Sequence, residues 1–168
     1  MVDDDDSDTS TVRRGRVHHS AICTTDIDES LRFWRDGLGF EVLMDHVFAG
    51  DWPALFDAAT RSLRSVFLGD PDDADAGIVE LVEFEEVAPT DGASGGRGPA
   101  AGFFLLSLYA DIDVTLERLA GLGLGGPPRI ADVAPNVRMA VIRDPNGVMV
   151  ELIGTAARQN LTRLAGSA

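Results

Sequence analysis

Asp26-Ile27-Asp28-Glu29-Ser30-Leu31 recurs as Asp111-Ile112-Asp113-Val114-Thr115-Leu116, and Val79-Glu80-Leu81-Val82 recurs as Val150-Glu151-Leu152-Ile153. Such an internal repeat constrains the fold strongly. Each copy is one supersecondary unit that cannot bury its own apolar face alone and must pack against its neighbour. The first landmarks are offset by 85 positions and the second by 71, so the first copy carries 14 additional residues between them. That surplus has a natural home in Gly50-Asp51-Trp52-Pro53-Ala54-Leu55-Phe56, where an N-cap candidate, Asp51, precedes a Pro suited to a first helical turn. A short inserted helix is therefore expected there.

Both copies read as β-α-β-β-β. In the first, a strand at 17–24 runs into Asp26, which can cap a helix over 29–37, with strands following at 40–48, 63–68 and 77–84. In the second, a strand at 103–110 precedes a helix at 114–122 and strands at 129–133, 137–143 and 148–153. Asp144-Pro145-Asn146-Gly147 closes the last two into a hairpin, with Asn-Gly expected to supply positive φ angles. The fold class is α+β, with module one at 17–87, a Gly/Ala/Pro-rich linker at 88–101 and module two at 102–154. Residues 1–15, with the run Asp3 to Asp6, read as a disordered acidic tail, and 156–168 as a C-terminal tail.

A chain of 168 residues suffices for a single domain with a real core, and no apolar run is long enough to span a bilayer. Its net charge of −14 repels phosphate backbones, which argues against nucleic acid and anionic membrane surfaces as partners. Cys23 is the single cysteine, so no intrachain disulfide is possible. With no apolar secretory segment near the start, a cytoplasmic location is expected.

Alternation along the first strand places His19, Ala21 and Cys23 on one face and His18, Ser20 and Ile22 on the other. His18 is accordingly given no role, and Cys23 is read as a small buried residue. Glu80 and Glu151 are carboxylates in the middle of apolar strands, where an unpaired charge costs several kcal/mol. One isolated glutamate would be read as rim-solvated or paired with an arginine such as Arg64 or Arg138. Two at equivalent positions of a duplicated unit point instead to a site, and a metal ion is a natural partner for such carboxylates. Phe33 and Trp34 occupy core positions of the first helix, whereas Trp52 and Phe56 on the insertion suit a cavity wall. His46 shares a strand face with Met44 and Phe48 and is a further candidate.

His19 seven residues before Asp26, the stretch from Ser30 to Phe40 (SLRFWRDGLGF) and the ending from Arg143 to Leu152 (RDPNGVMVEL) resemble the vicinal oxygen chelate superfamily. That group includes glyoxalase I, methylmalonyl-CoA epimerase, extradiol dioxygenases, and fosfomycin and bleomycin resistance proteins. The resemblance implies paired βαβββ modules forming a half-open curved mixed-sheet barrel around a divalent metal, with ligands from the first and fourth strand of each module. Carried over by position, those places are His19, Glu80, Phe104 and Glu151, and Phe104 departs from the pattern because it cannot coordinate a metal.

The implied metal set is His19, Glu80 and Glu151, holding Mn, Fe, Ni, Co or Zn. His46, Trp52 and Phe104 are expected at the substrate, with His46 alternatively a fourth metal ligand, and the resemblance implies Glu151 as the residue that shuttles a proton. Isomerase, lyase, epimerase or dioxygenase chemistry on vicinal oxygens of a small substrate would fit. The alternative is a metal-free small-molecule-binding protein of the bleomycin resistance type. A homodimer is expected from the resemblance and because two-fold dimers are the commonest assembly.

Overall fold

The computed structural model describes residues 17–73, 77–85, 103, 105–134 and 137–155. The expected acidic tail, linker and C-terminal tail lie outside the described residues, as does Phe104. The first copy comprises β1 (His19–Cys23), α1 (Ile27–Leu31), β2 (Glu41–Ala49), α2 (Trp52–Phe56), β3 (Ser62–Gly69) and β4 (Ile78–Phe84). The second comprises β5 (Leu106–Ala110), α3 (Ile112–Gly121), β6 (Arg129–Ala134), β7 (Val137–Arg143) and β8 (Met149–Gly154). The two sheets have the same strand order, β1-β4-β3-β2 and β5-β8-β7-β6, and neither closes into a barrel.

In each sheet the first strand lies parallel to the fourth, and the remaining pairs are antiparallel. Parallel neighbours require a crossover, which the helix after the first strand begins. Both helices start on an aspartate that accepts a backbone N–H: Glu29 N donates to Asp26 at 2.9 Å and Val114 N to Asp111 at 3.2 Å. Satisfying an orphan donor in this way stabilises a helix by about 1 kcal/mol. α1 continues directly into a π-helical turn, Arg32–Gly37, so the single helix expected over 29–37 begins at Ile27 and widens halfway along.

The core is shared by both copies. Ile22, Val66, Leu68, Val79 and Leu81 from the first sheet and Ala140, Ile142, Val150 and Leu152 from the second form one cluster with Phe33, Trp34, Ile112 and Leu119. Phe33 and Trp34 have no exposed surface. The inner, helix-bearing faces of the two sheets thus meet in one core, and their outer faces turn away from it. A polar tie crosses the same junction, where Trp34 Nε1 donates to Asp144 Oδ2 at 3.4 Å.

Three local expectations are corrected. In the hairpin turn only Gly147 has a positive φ, 82°. The Asp144 carbonyl accepts from Gly147 N at 3.0 Å, and its carboxylate accepts from the backbone N–H groups of Asn146 and Val148 at 2.9 and 2.8 Å. Pro145 and Asn146 are therefore the central pair of the turn and need no left-handed backbone. Asp51 makes no capping hydrogen bond at the start of α2; its carboxylate pairs with Arg61 at 3.1 Å instead. Cys23 is exposed at the end of β1, although packing along one side removes enough water to push its thiol up.

Candidate functional site

The outer face of the first sheet carries a cavity of about 720 Å³. Its floor comes from β1, β3 and β4, because Ala21, Glu80 and Phe67 stand abreast across three neighbouring strands. Its rim comes from Phe48 on β2 and from Trp52 and Phe56 on α2. Among the described residues the lining is apolar except for three, His19, Ser65 and Glu80.

Those three form one connected group. His19 Nε2 lies 3.2 Å from Glu80 Oε2, and Ser65 Oγ donates to Glu80 Oε1 at 2.5 Å. The Glu80 side chain is 13% exposed and that of His19 39%, so the carboxylate sits deep and the imidazole faces the opening. Both carboxylate oxygens are engaged, which is how a carboxylate is tolerated in a largely apolar strand. The other ring nitrogen, His19 Nδ1, lies 2.9 Å from Nδ1 of His18, and the two rings meet edge to face. With one nitrogen donating in that contact, His19 Nε2 is left to present a lone pair or a proton according to tautomer.

Glu151 occupies the matching strand position in the second sheet and accepts a hydrogen bond from Ser107. Its neighbours Val150 and Leu152 point into the shared core, so Glu151 points out from the opposite side of the molecule. One chain therefore brings His19 and Glu80 together and leaves Glu151 apart. Among the described residues no three His, Cys, Asp or Glu side chains converge to hold a metal ion. Neither arginine weighed as a partner for the glutamates serves: Arg64 forks onto Asp45 at 2.9 and 2.8 Å, and Arg138 pairs with Asp113 at 2.8 Å. The Arg64 guanidinium holds Asp45 below the usual carboxylate range.

Strand register also corrects the counterpart of His19. Ala21 pairs with Glu80 and Ser107 with Glu151, so extending the register two residues back makes Leu105, not Phe104, the equivalent of His19. The chain is one residue shorter between β5 and its helix cap than between β1 and its cap, which the sequence offset does not show. Of the other candidates, Trp52 lines the cavity with Nε1 donating to the Phe48 carbonyl at 3.2 Å. His46 is exposed beside the rim, its ring 4.6 Å from that of Phe48. Sequence reasoning missed His18 and Ser65. Ser65 was accessible by alternation, since it shares its face with Phe67 and Leu63.

Two βαβββ units packed back to back, each with a carboxylate on its outer face and one of them hollowed into an apolar cavity, define a tandem-module protein of the glyoxalase-like class. The chain belongs to the Glyoxalase/Bleomycin resistance protein/Dioxygenase superfamily, whose family model matches residues 16–152. It is 36% identical over 148 residues to the lactoylglutathione lyase-like protein terB of Aspergillus terreus, covering 82% of this chain and 74% of that protein. Among solved structures it resembles a glyoxalase family protein from Bacillus cereus (TM-score 0.65, 18% identity, 88% of this chain and 97% of that one). It also resembles the trypanothione-dependent glyoxalase I of Leishmania major (TM-score 0.62, 20% identity, 92% and 100%). These structural likenesses establish the fold. No helix among the described residues is long and apolar enough to cross a membrane.

Proposed function

We propose that the chain is a metal-dependent enzyme acting on a small oxygenated molecule in the first-sheet cavity, with His19 and Glu80 of one copy and Glu151 of a second copy as metal ligands. The observation that carries this reading is the His19–Glu80 separation of 3.2 Å. Nitrogen and oxygen ligands at about 2.1 Å from a metal stand about 3 Å apart when they occupy adjacent corners of its coordination sphere. The pair thus fits two sites on Mn, Fe, Ni, Co or Zn. Ser65 and His18 would fix the orientation of the two side chains, the usual task of groups behind metal ligands.

The reading requires a homodimer, in which outer faces that diverge within one chain meet between two. A bound divalent ion supplies Lewis acidity towards the substrate oxygens. The residues of the chain do the rest: the apolar walls exclude water, His19 and Glu80 hold the oxygenated end, and the Glu151 carboxylate accepts a proton from the adjacent carbon and returns it. The lyase-like name of the Aspergillus relative favours isomerase or lyase chemistry over oxygenation. One observation favours the metal-free alternative, a binding protein for small molecules: the second sheet offers Leu105 where the first has His19.

Mixed dimers test the proposal. Metal content is measured for His19→Ala, for Glu151→Gln and for the two co-expressed. Either variant alone leaves every shared site broken, whereas a mixed dimer retains one intact site, so co-expression is expected to restore about half of the wild-type metal per mixed dimer. Co-expressed protein with no more metal than the single variants would refute a site shared between copies.

A further inference from the structure

We infer that the inserted helix α2 makes this cavity selective for a neutral, planar aromatic ligand, with Trp52 and Phe56 as the specificity-determining pair. The inference rests on the reading of the cavity as the substrate site and is independent of the metal.

The rings of Trp52 and Phe56 are stacked on one another, parallel within 9° with centroids 5.8 Å apart, and so form one offset aromatic ledge. The ledge is fixed at both ends. Trp52 is tied to the Phe48 carbonyl through its indole N–H, and Phe56 meets Phe84 edge to face at 6.3 Å. Across the cavity Phe67 presents its ring beside His19, the two centroids 5.3 Å apart. A flat ring system entering between ledge and floor stacks without ordering new side chains, which retains the stacking contribution of about 0.5–1.5 kcal/mol per aromatic contact beyond area burial. A cavity of about 720 Å³ falls in the range that accommodates two or three fused rings with substituents.

Charge points the same way. Among the described residues no arginine lines this cavity, whose described titratable groups are His19 and Glu80. A ligand carrying carboxylates would meet the Glu80 carboxylate with no described arginine beside it, in a protein of net charge −14. Lactoylglutathione, a tripeptide thioester with two carboxylates, is therefore a poor match to this wall despite the name of the Aspergillus relative. The one polar spot, made by His19, Ser65 and Glu80, instead suits a single hydroxyl or carbonyl edge on an otherwise apolar molecule.

The test uses 2-naphthol as probe, the full-length protein and buffer containing EDTA. Saturable quenching of tryptophan emission is expected, because Trp52 lies in the cavity while Trp34 is sealed in the core. Trp52→Leu and Phe56→Leu should each weaken binding about 5–10-fold by calorimetry, and Trp52→Phe, which keeps an aromatic face, by about 2-fold or less. Both residues sit on a short surface helix with no fully buried member, so the core is untouched. The inference is overturned by equal affinity for saturated decahydro-2-naphthol, by absence of saturable naphthol binding, or by tighter binding of S-lactoylglutathione. Metal uptake without naphthol binding overturns this inference alone, and naphthol binding without metal uptake overturns the metal reading alone.

Discussion

Replacing Asp144 by Ala removes a carboxylate that is 4% exposed and accepts four hydrogen bonds: Asn146 N at 2.9 Å, Val148 N at 2.8 Å, Asn146 Nδ2 at 3.2 Å and Trp34 Nε1 at 3.4 Å. The last is weak by distance, but its donor has no surface through which to reach water. The two backbone bonds go to a potentially charged acceptor and contribute about 1.5–3 kcal/mol each, with relief of a desolvated carboxylate offsetting part of the loss. A net destabilisation of about 3 kcal/mol follows, or a fall in Tm of about 6–12 °C for a chain of this size.

Urea unfolding monitored by Trp34 emission should show a lower midpoint at unchanged slope. Burial pushes the Asp144 carboxyl above its ordinary 3.8, against the pull of its hydrogen bonds. Between 3.8 and that raised value the folded chain keeps a proton the unfolded chain has lost, so this group's contribution declines as pH rises through the window. The deficit of Asp144→Ala should accordingly be larger in acid than at neutral pH. A deficit under about 1 kcal/mol at neutral pH, or one that grows between pH 4 and 7, would refute the reasoning.

Two further predictions concern packing and the surface. A Cβ on Gly37 would lie 2.4 Å from Leu119 Cδ2, whose side chain is 1% exposed at the junction of the two copies, whereas a Cβ on Gly121 would meet nothing within 4 Å. Gly37→Ala should cost about 1–3 kcal/mol by thermal unfolding and Gly121→Ala should stabilise by about 0.4–1 kcal/mol, an order that reversal would contradict. Asp45 has a lowered pKa from the Arg64 fork, so the pair's contribution is present above 3.8 and is lost as pH falls through the depressed value. Arg64→Gln should lose no more than about 1 kcal/mol at neutral pH, less in high salt, and match wild type in strong acid; a gap that persists at pH 2 would count against the pair as its cause.

Local signals carried far in the sequence. Asp26 and Asp111 announce their helices because a cap involves only a few consecutive residues, and Glu80 and Glu151 announce themselves because duplication places them at matching points of apolar strands. What depends on register was hidden. Nothing local says that Ser65 stands beside Glu80, and one residue missing before Asp111 moves the equivalent of His19 from Phe104 to Leu105. Asp144 was hidden for another reason: an aspartate in an Asp-Pro-Asn-Gly turn looks like surface until the indole of Trp34, 110 positions away in the chain, is found against it. The direction in which the two glutamates face was equally unreadable, since alternation assigns a side chain to a face but not that face to the inside or outside of the pair.

Back-to-back packing separates two kinds of mutational load. Residues that keep the chain folded, such as Leu81, Leu119 and Val150, lie between the sheets, while those that line the cavity lie on an outer face and are not part of that shared cluster. A substitution on one outer face is buffered from the core and from the other face, so each can drift at small cost in stability. The fourteen-residue surplus of the first copy shows how much one face can carry: it holds an extra helix over one sheet, while the strand order beneath is the same in both copies.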